Sequence, residues 1–385
     1  MLAASWGAAG SWGAAGSWNV ELGSWDVESG AWDVESGSWG FVVILAIDVG
    51  GTKLAAGLVA DDGTVVTSRR TATPQDAGPE TLWKTLTDLI EPLTAHAAAG
   101  GGPVEGVGVG CGGPMTWPDA EVSPLNIPGW RGFPLRARLA ERFPGLPVRV
   151  HNDAICLAVA EHWKGAGRGA SDMLGMVVST GVGGGLILNG RLINGGTGNA
   201  GHIGHVVVEP DGGPRCGCGG HGCLEAVARG PALTSWALEQ GWVPGAAQPG
   251  TGGEPYLENQ AATAWTDAGE PYLEDRAVTG RALAEDARAG DPIAARAMHR
   301  AGRALGIAIA SATHLCDLDL VTIGGGLSQA GEPLFGPLEE ALREHARMEF
   351  ARRVKVMPAA LGQEAGLVGA AALLLAGTQY WTTHS

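Results

Sequence analysis

Basic side chains are scarce in this sequence. Its 385 residues include 25 Lys and Arg against 40 Asp and Glu, which gives a formal net charge of -15 at pH 7. Nucleic acids and anionic membrane surfaces attract proteins through clustered Lys and Arg. The charge balance therefore predicts no nucleic-acid partner and no membrane partner, and it favours a small-molecule partner.

Long apolar runs are missing as well. The sequence has no run of the roughly 18 to 20 apolar residues that a membrane-spanning helix needs. The first basic residue is Lys53, so the positively charged start of a secretory signal is absent and we expect a cytoplasmic protein. Hydrophobic residues still make up 45% of the chain, which is enough to bury a sizeable core in two domains.

The Walker A pattern and a convincing dinucleotide fingerprint are also absent, but three glycine-rich segments stand at predicted strand ends. They are Asp-Val-Gly-Gly-Thr-Lys at 48–53, Ser-Thr-Gly-Val-Gly-Gly-Gly at 179–185 and Ile-Gly-Gly-Gly at 323–326. Glycine lets backbone N–H groups approach phosphate oxygens, and the carboxylate in the first segment can hold hydrated Mg²⁺. A plain Gly-Gly hairpin explains the first segment equally well, but three such turns favour a cleft that clamps a nucleotide between two domains. The candidate phosphate-binding residues are Asp48, Gly50, Gly51, Thr52, Lys53, Thr180, Gly181, Gly183, Gly324, Gly325 and Gly326.

Strand and helix patterns alternate along most of the chain, beginning with a predicted hairpin around the first glycine turn. The alternation predicts an α/β protein. Strands are predicted at 41–47, 54–59, 104–109, 148–151, 174–179, 185–188 and 320–323, and helices at 79–98, 154–164, 292–315 and 333–350.

Two segments fall outside this alternation. Residues 1–40 repeat Trp every six and then every seven residues among Gly, Ala, Ser and acidic residues, and such glycine-rich repetition predicts a disordered tail. Between residues 243 and 280, Gly-Glu-Pro-Tyr-Leu-Glu occurs twice, which indicates a duplicated surface insertion.

Asp153 stands where a predicted strand ends and a predicted helix begins, directly after Asn152. A carboxylate at such a position is often only the N-cap of the helix. In the alternative interpretation, Asp153 is the general base that takes a proton from a sugar hydroxyl as it attacks the γ-phosphate of ATP, and Asn152 orients the sugar. The sequence alone leaves both interpretations open.

Half of the cysteines are clustered. Cys216, Cys218 and Cys223 lie within eight residues, and His205 precedes them by eleven. Three thiolates and one imidazole suit a tetrahedral ion such as Zn²⁺. Four protein ligands leave no open position for water, so the spacing predicts a structural zinc and argues against a zinc hydrolase.

Taken in order, these motifs resemble the ROK family of sugar kinases and related repressors from about residue 41 to residue 378. The resemblance implies an ATP-dependent sugar kinase with an actin-like ATPase fold, in which two RNase H-like α/β domains enclose a cleft. It implies one domain at 41–153, with a helix at 364–378 packing back onto it, and a second at 154–363 containing a zinc loop at 205–223 and the insertion at 243–280. The implied ligands are ATP, Mg²⁺ and a hexose or N-acetylhexosamine, and the implied assembly is a homodimer or homotetramer.

The resemblance also assigns site residues. Asp153 corresponds to the catalytic base, and His205 both binds zinc and faces the sugar. The implied sugar-binding residues are Gly112, Gly113, Asn126, Asn152, His202, His205 and Glu225.

His202 departs from the commonest family pattern, which has Glu at this position. The family's bacterial N-acetylmannosamine kinases resemble this chain in having His there, so N-acetylmannosamine is the expected substrate and glucose or another hexose is the alternative. A ROK repressor is a weaker alternative, because residues 1–40 contain no Lys or Arg to contact DNA phosphates. A nucleotide hydrolase or sugar sensor without transfer activity is a further one, which sugar-dependent ADP release would separate from a kinase.

Overall fold

The computed structural model of this protein describes residues 42–245, 264–265, 271–272 and 278–381. Two five-stranded sheets with flanking helices make up most of these ranges. No helix within them is long and apolar enough to cross a membrane. The predicted Trp repeat at 1–40 and most of the predicted insertion at 243–280 lie outside the described residues.

The first sheet has the strand order β3-β2-β1-β4-β5. Its strands are β1 (Val43–Val49), β2 (Lys53–Ala60), β3 (Val65–Ala72), β4 (Val104–Cys111) and β5 (Val148–Asn152), and the accompanying helices are α1 (Pro79–His96), α2 (Leu135–Arg142) and α3 (Asp153–Lys164). Antiparallel pairing of β1 with β2 confirms the predicted hairpin. β3 pairs antiparallel with β2, whereas β1, β4 and β5 are parallel.

The extent to which each strand is buried explains which strands could be predicted from the sequence. β1 and β2 are buried almost throughout, as expected for central strands covered on both faces. β3 is an edge strand whose centre, including Arg69 and Arg70, is exposed. β3 was not predicted from the sequence, because an exposed edge strand lacks the continuous apolar run of its neighbours.

The second sheet has the strand order β12-β11-β6-β7-β8. Its strands are β6 (Met173–Val178), β7 (Val182–Leu188), β8 (Arg191–Leu192), β11 (Leu320–Gly324) and β12 (Lys355–Pro358). A separate antiparallel pair, β9 (Ala264–Trp265) and β10 (Pro271–Tyr272), lies within the predicted insertion. The helices of this half are α4 (Leu224–Ala228), α5 (Gly230–Glu239), α6 (Gly280–Arg288), α7 (Pro292–Cys316), α8 (Glu332–His345), α9 (Glu349–Arg352) and α10 (Ala365–Leu375).

Both sheets have the same topology. In each, the first three strands are antiparallel neighbours and the two later strands extend the sheet in parallel from the first strand. The last helix of each half crosses to the other: α3 packs against β6 and β7, and α10 packs against β1 and β4. α3 and α10 approach so closely that a Cβ on Gly369 would lie 1.8 Å from the carbonyl oxygen of Cys156. The structure is therefore the predicted pair of RNase H-like α/β domains, joined through two crossing helices.

The single helix predicted at 333–350 is wrong. α8 ends at His345, and α9 begins at Glu349. Ala346 and Ala351 are both fully buried in the core of the second half, and the chain turns between the helices to bury both. Periodicity alone did not reveal this break, because the segment between the helices contains neither Gly nor Pro.

The predicted glycine turn at 179–185 is shorter than the sequence suggested, because β7 begins at Val182. A Cβ on Gly183 would lie 2.7 Å from the Cβ of Ala154, and a Cβ on Gly185 would lie 2.8 Å from the Cα of Ile155. These two glycines allow α3 to pack closely on β7. The phosphate-binding role of Gly183 stays a prediction.

Candidate active site

The turn between β1 and β2 is held in place by the segment that follows β3. The Thr73 hydroxyl donates a hydrogen bond to the Gly50 carbonyl at 2.7 Å, and the Gln75 side-chain amide donates one to the Gly51 carbonyl at 2.9 Å. Sequence reasoning missed Thr73 and Gln75, because no local pattern marks a partner more than twenty residues away. Of the predicted residues, Gly50, Gly51 and Thr52 form the turn, Asp48 lies near the end of β1, and Lys53 begins β2.

Asn126, predicted to bind sugar, lies against this phosphate turn. A Cβ on Gly51 would be 2.5 Å from Asn126 Nδ2, and a Cβ on Gly112 would be 3.2 Å from Asn126 Oδ1. Glycine at both positions leaves room for the amide. The structure thus brings the first phosphate turn next to the loop expected to contact the sugar.

Asp48 and Asp153 are close enough for their charges to interact. Burial, followed by the charge of Asp153, raises the pKa of Asp48 to about 7, while Lys53 and Arg70 oppose the shift. Burial also raises the pKa of Asp153, and the charge of Glu225 adds to it. Like charges disfavour each other's ionised form, and a bound cation would relieve this repulsion. The pair is therefore suited to a divalent cation.

Asn152 caps α3, and Asp153 does not. Asn152 Oδ1 accepts hydrogen bonds from the backbone N–H groups of Ala154 and Ile155 at 3.0 and 3.4 Å. Asp153 is the first helical residue, and its Oδ1 shares the Ala154 N–H at 2.8 Å. The alternative in which Asp153 serves only as the N-cap is therefore contradicted.

Three predicted sugar-binding residues meet around Gly113. A Cβ there would lie 3.1 Å from Asn152 Nδ2 and 3.4 Å from His202 Cε1. The ring of His202 stacks on that of His205, with centroids 6.1 Å apart and 16° between the planes. Burial lowers the pKa of His202, and within the described ranges its Nε2 is buried without a hydrogen-bond partner. A buried polar atom in that state suits a ligand that can hydrogen-bond to it.

Glu225 closes the second phosphate turn, which contains Thr180. The Val182 N–H donates to Glu225 Oε2 at 2.9 Å, and a Cβ on Gly181 would lie 2.9 Å from the same oxygen. This contact explains why Gly181 must lack a side chain. Glu225 therefore lies between the turn and Asp153, whose pKa its charge influences.

The third phosphate turn lies against the second. Gly324 ends β11, and Gly325 follows with a φ of 92°, which favours glycine. A Cβ on Gly325 would lie 2.4 Å from the Val178 carbonyl oxygen, and one on Gly326 would lie 3.9 Å from the Ser179 hydroxyl. Two of the three predicted phosphate turns therefore adjoin each other at the ends of β6 and β11.

The predicted zinc ligands form a compact cluster. The ligand atoms of His205, Cys216, Cys218 and Cys223 all lie within 4.8 Å of one another. The His205 Nδ1 to Cys216 Sγ distance is 3.7 Å, and the Cys218 Sγ to Cys223 Sγ distance is 3.8 Å. Ligands of one tetrahedral Zn²⁺ lie about 3.5 to 3.8 Å apart, as bond lengths of about 2.0 to 2.3 Å require. The residues present therefore fit zinc in their chemistry, and these two pairs of ligand atoms also have the spacing of a bound ion.

A tight turn brings the thiols of this cluster together. The Cys216 N–H donates to the Gly220 carbonyl at 2.8 Å, and the Gly219 N–H donates back to the Cys216 carbonyl at 2.9 Å. An isolated antiparallel bridge pairs Val207 with Cys223. The backbone thus brings the three thiols together close to His205.

Two RNase H-like domains that bring glycine turns and half-buried carboxylates together define a protein of the actin-like ATPase class, as the sequence predicted. The chain belongs to the ROK family, which matches residues 44–376.

Several known proteins are similar over nearly the whole described chain. The glucokinase of Thermotoga maritima is 34% identical over 333 residues, covering 86% of this chain and 96% of the relative. The N-acetylmannosamine kinase of Shigella flexneri is 35% identical over 332 residues, covering 86% and 98%. The crystal structure of a ROK family glucokinase from Streptomyces griseus in complex with glucose and AMPPNP superposes with a TM-score of 0.70 at 32% identity, covering 87% of this chain and 100% of that one.

Proposed function

We propose that this protein is an ATP-dependent sugar kinase that transfers the γ-phosphoryl group of ATP to the 6-hydroxyl of a hexose or N-acetylhexosamine. The start of α3 carries the proposal, because Asn152 caps the helix, faces Gly113 and His202, and precedes Asp153. The similar proteins named glucokinase and N-acetylmannosamine kinase support the same reaction class.

Asp153 is the general base of the proposed reaction. It accepts the proton of the attacking hydroxyl, and its raised pKa brings it closer to the neutral range in which a base works best. Asn152 Nδ2 and His202 Nε2 hydrogen-bond to the sugar and orient the attacking hydroxyl. Because phosphoryl transfer needs little covalent help, this positioning supplies much of the rate.

The three glycine turns hold ATP, with their backbone amides and Lys53 directed at its phosphates. Asp48 would hold hydrated Mg²⁺, since its carboxylate is one of the oxygen ligands that Mg²⁺ prefers. When bound, the ion would neutralise charge on the β- and γ-phosphates. The mutual charge repulsion of Asp48 and Asp153 supports a cation at this position.

A structural Zn²⁺ would be held by His205, Cys216, Cys218 and Cys223. The ion would fix the tautomer and ring orientation of His205, which stacks on His202. It would thereby stabilise the segment that carries His202 and His205 without taking part in phosphoryl transfer.

N-acetylmannosamine is the preferred substrate under this proposal, and glucose is the alternative. Sequence identity does not distinguish the two substrates, since this chain is 34% identical to the glucokinase and 35% identical to the N-acetylmannosamine kinase. His202 is the residue that favours the acetylated sugar, because a neutral imidazole can donate or accept a hydrogen bond, whereas a carboxylate only accepts. The lowered pKa of His202 keeps the imidazole neutral.

A coupled ATPase assay across glucose, mannose, N-acetylglucosamine and N-acetylmannosamine tests both levels of the proposal. We expect sugar-dependent ADP release with the highest kcat/KM for N-acetylmannosamine. His202→Glu should shift the ratio of kcat/KM for N-acetylmannosamine to that for glucose about tenfold to hundredfold toward glucose. A wild type that prefers glucose, or a ratio that the substitution leaves unchanged, would contradict the role of His202. ADP release that no sugar stimulates would contradict the kinase itself.

We also expect a homodimer or homotetramer in the cytoplasm, acting on small molecules without nucleic-acid or membrane partners. All six cysteines are free thiols in the structure, and three clustered thiols remain metal ligands only in a reducing compartment. Light scattering after gel filtration measures the assembly.

A further inference from the structure

His151, the residue before Asn152, makes two hydrogen bonds that connect the two halves of the sugar site. Its side chain is fully buried in β5. The Asn152 backbone N–H donates to Nδ1 at 2.9 Å, and Nε2 lies 3.0 Å from Asn194 Oδ1. Because Nδ1 accepts, the ring proton is on Nε2 and is donated to Asn194. Only the neutral imidazole satisfies both contacts.

The residues 194–201 precede His202 and form what we call the 194–201 loop. His151 holds its first residue. Asn199 fastens the other end, since its side chain accepts from the Met115 N–H at 3.4 Å and donates to the Met115 carbonyl at 3.1 Å. A Cβ on Gly198 would lie 2.7 Å from the Cβ of Trp117 and 3.0 Å from its indole carbons Cγ and Cε3, so only glycine fits against this side chain. The 194–201 loop belongs to the second half, and hydrogen bonds near both of its ends therefore hold it against the first half.

Two indoles enclose the imidazole of His151. The ring of Trp117 lies 5.0 Å away, and that of Trp381 lies 6.4 Å away in an edge-on arrangement. The resulting burial lowers the pKa of His151 to about 4. The imidazole consequently keeps its neutral form, and both of its hydrogen bonds, across the pH range in which cells work.

We propose that His151 is a positioning residue that sets the geometry between the general base and the loop carrying His202. This inference rests on the proposed kinase function. Through Nδ1 it fixes the backbone that leads into Asp153, and through Nε2 it fixes the 194–201 loop. The first bond therefore acts mainly on phosphoryl transfer, because the Asn152 side chain keeps its own bonds to the Ala154 and Ile155 N–H groups. The second bond acts on sugar affinity.

Two substitutions separate the bonds. In His151→Asn the side-chain oxygen can replace Nδ1 but cannot reach Asn194, whereas in His151→Gln the terminal amide can replace Nε2 but leaves the Asn152 N–H without its partner. We expect His151→Asn to raise the sugar KM about tenfold with kcat nearly unchanged, and His151→Gln to lower kcat about tenfold with KM nearly unchanged. Asn194→Ala should reproduce the KM effect and add nothing to it in combination with His151→Asn.

His162 provides matched controls. It is also a buried histidine with two hydrogen bonds, to Tyr380 Oη at 2.5 Å and to the Ala170 carbonyl at 2.8 Å. It lies nine residues after Asp153 in the same helix, about 14 Å away along the axis. His162→Asn and His162→Gln should lower Tm and leave kcat and KM unchanged.

The readouts are kcat and KM with N-acetylmannosamine and with glucose, and calorimetric Kd for each sugar. A raised KM in His151→Asn together with a lowered kcat in His151→Gln supports the inference. The same changes of kcat and KM in both His151 variants would overturn it. So would a decrease of Tm with unchanged kcat and KM, as expected for the His162 controls. If neither variant folds, an Asn194→Ala protein with unchanged sugar Kd would overturn it equally. A wild type that phosphorylates neither sugar would contradict the proposed function instead.

Discussion

The first and second sheets share one strand order, yet their corresponding positions carry different chemistry. In the first half, Asp48 is the second-to-last residue of β1, just before the β1–β2 turn, and the last helix begins with Asp153. In the second half, Val177 is the second-to-last residue of β6, the β6–β7 turn contains only Ser, Thr and Gly, and α10 begins with Ala365 after the exposed Glu364. At these two matching positions the first half therefore has carboxylates, and the second half has uncharged residues.

Electrostatics explains this division. The charge of Asp153 already raises the pKa of Asp48, and further carboxylates at the matching positions would increase the repulsion. Neutral amides and hydroxyls can approach phosphate oxygens without such a cost. A duplicated topology thus supplies equivalent backbone positions, and the side chains assign them different tasks. The following variants test this comparison, starting with the largest expected effect.

Asp153→Asn should lower kcat about 10² to 10⁴-fold, because the amide keeps the shape of the side chain but cannot accept the proton. The matched control in the second half is Glu364→Gln, which changes the carboxyl group just before α10 and should leave kcat unchanged. ATP affinity and Tm should persist in both. If Asp153→Asn retained more than about a tenth of the wild-type kcat, the asymmetry between the halves would have no catalytic meaning.

Cys216→Ala should remove the zinc, whose ligand cluster has no counterpart described in the first half. Metal analysis of the wild type should find about one zinc per chain, since four ligands hold one ion. In the variant we expect the sugar KM to rise about tenfold to hundredfold, because His205 loses its fixed orientation. Cys316→Ala, which removes a half-buried thiol from α7, is the control and should change neither property. A fully active wild type free of metal would refute the assignment.

Asp48→Asn should raise Tm at pH 8 in the absence of ATP and Mg²⁺, by about 2 to 4 °C. The folded protein raises the pKa of Asp48 from 3.8 to about 7, so it binds this proton more tightly than the unfolded chain does. The associated stability is present at low pH and is lost as pH rises from about 4 to about 7. Asn remains neutral at every pH, so the variant does not lose this stability as the pH rises.

Asp62→Asn is the control of opposite sign. Hydrogen bonds from Thr64 hold the pKa of Asp62 below its usual value, so its ionised form favours the folded state and the substitution should lower Tm slightly. A Tm decrease for Asp48→Asn at pH 8 would contradict the burial of an unfavourable charge. Thermal melts of both variants from pH 4 to pH 8 measure the difference.

Much of the fold was predictable because buried strands leave continuous apolar runs. β1, β2, β4 and the hairpin turn follow from this pattern, as do the long helices α1 and α7. The break between α8 and α9 was not predictable, since it depends on burying Ala346 and Ala351 in a core built from distant elements. The crossing of α3 and α10 similarly depends on the contact of Gly369 with Cys156.

The sequence by itself determined which chemical groups are available: the glycine turns, Asp153 after a strand, and one imidazole with three thiols at short spacing. The order of residues along the chain is enough to predict these groups, because the residues of each group are close in sequence or mark the end of a strand. Only the tertiary structure decided that Gly183 packs under α3 and that His151 reaches Asn194 across 43 residues. Such contacts depend on how the two halves dock, and docking is set by packing between elements far apart in the chain.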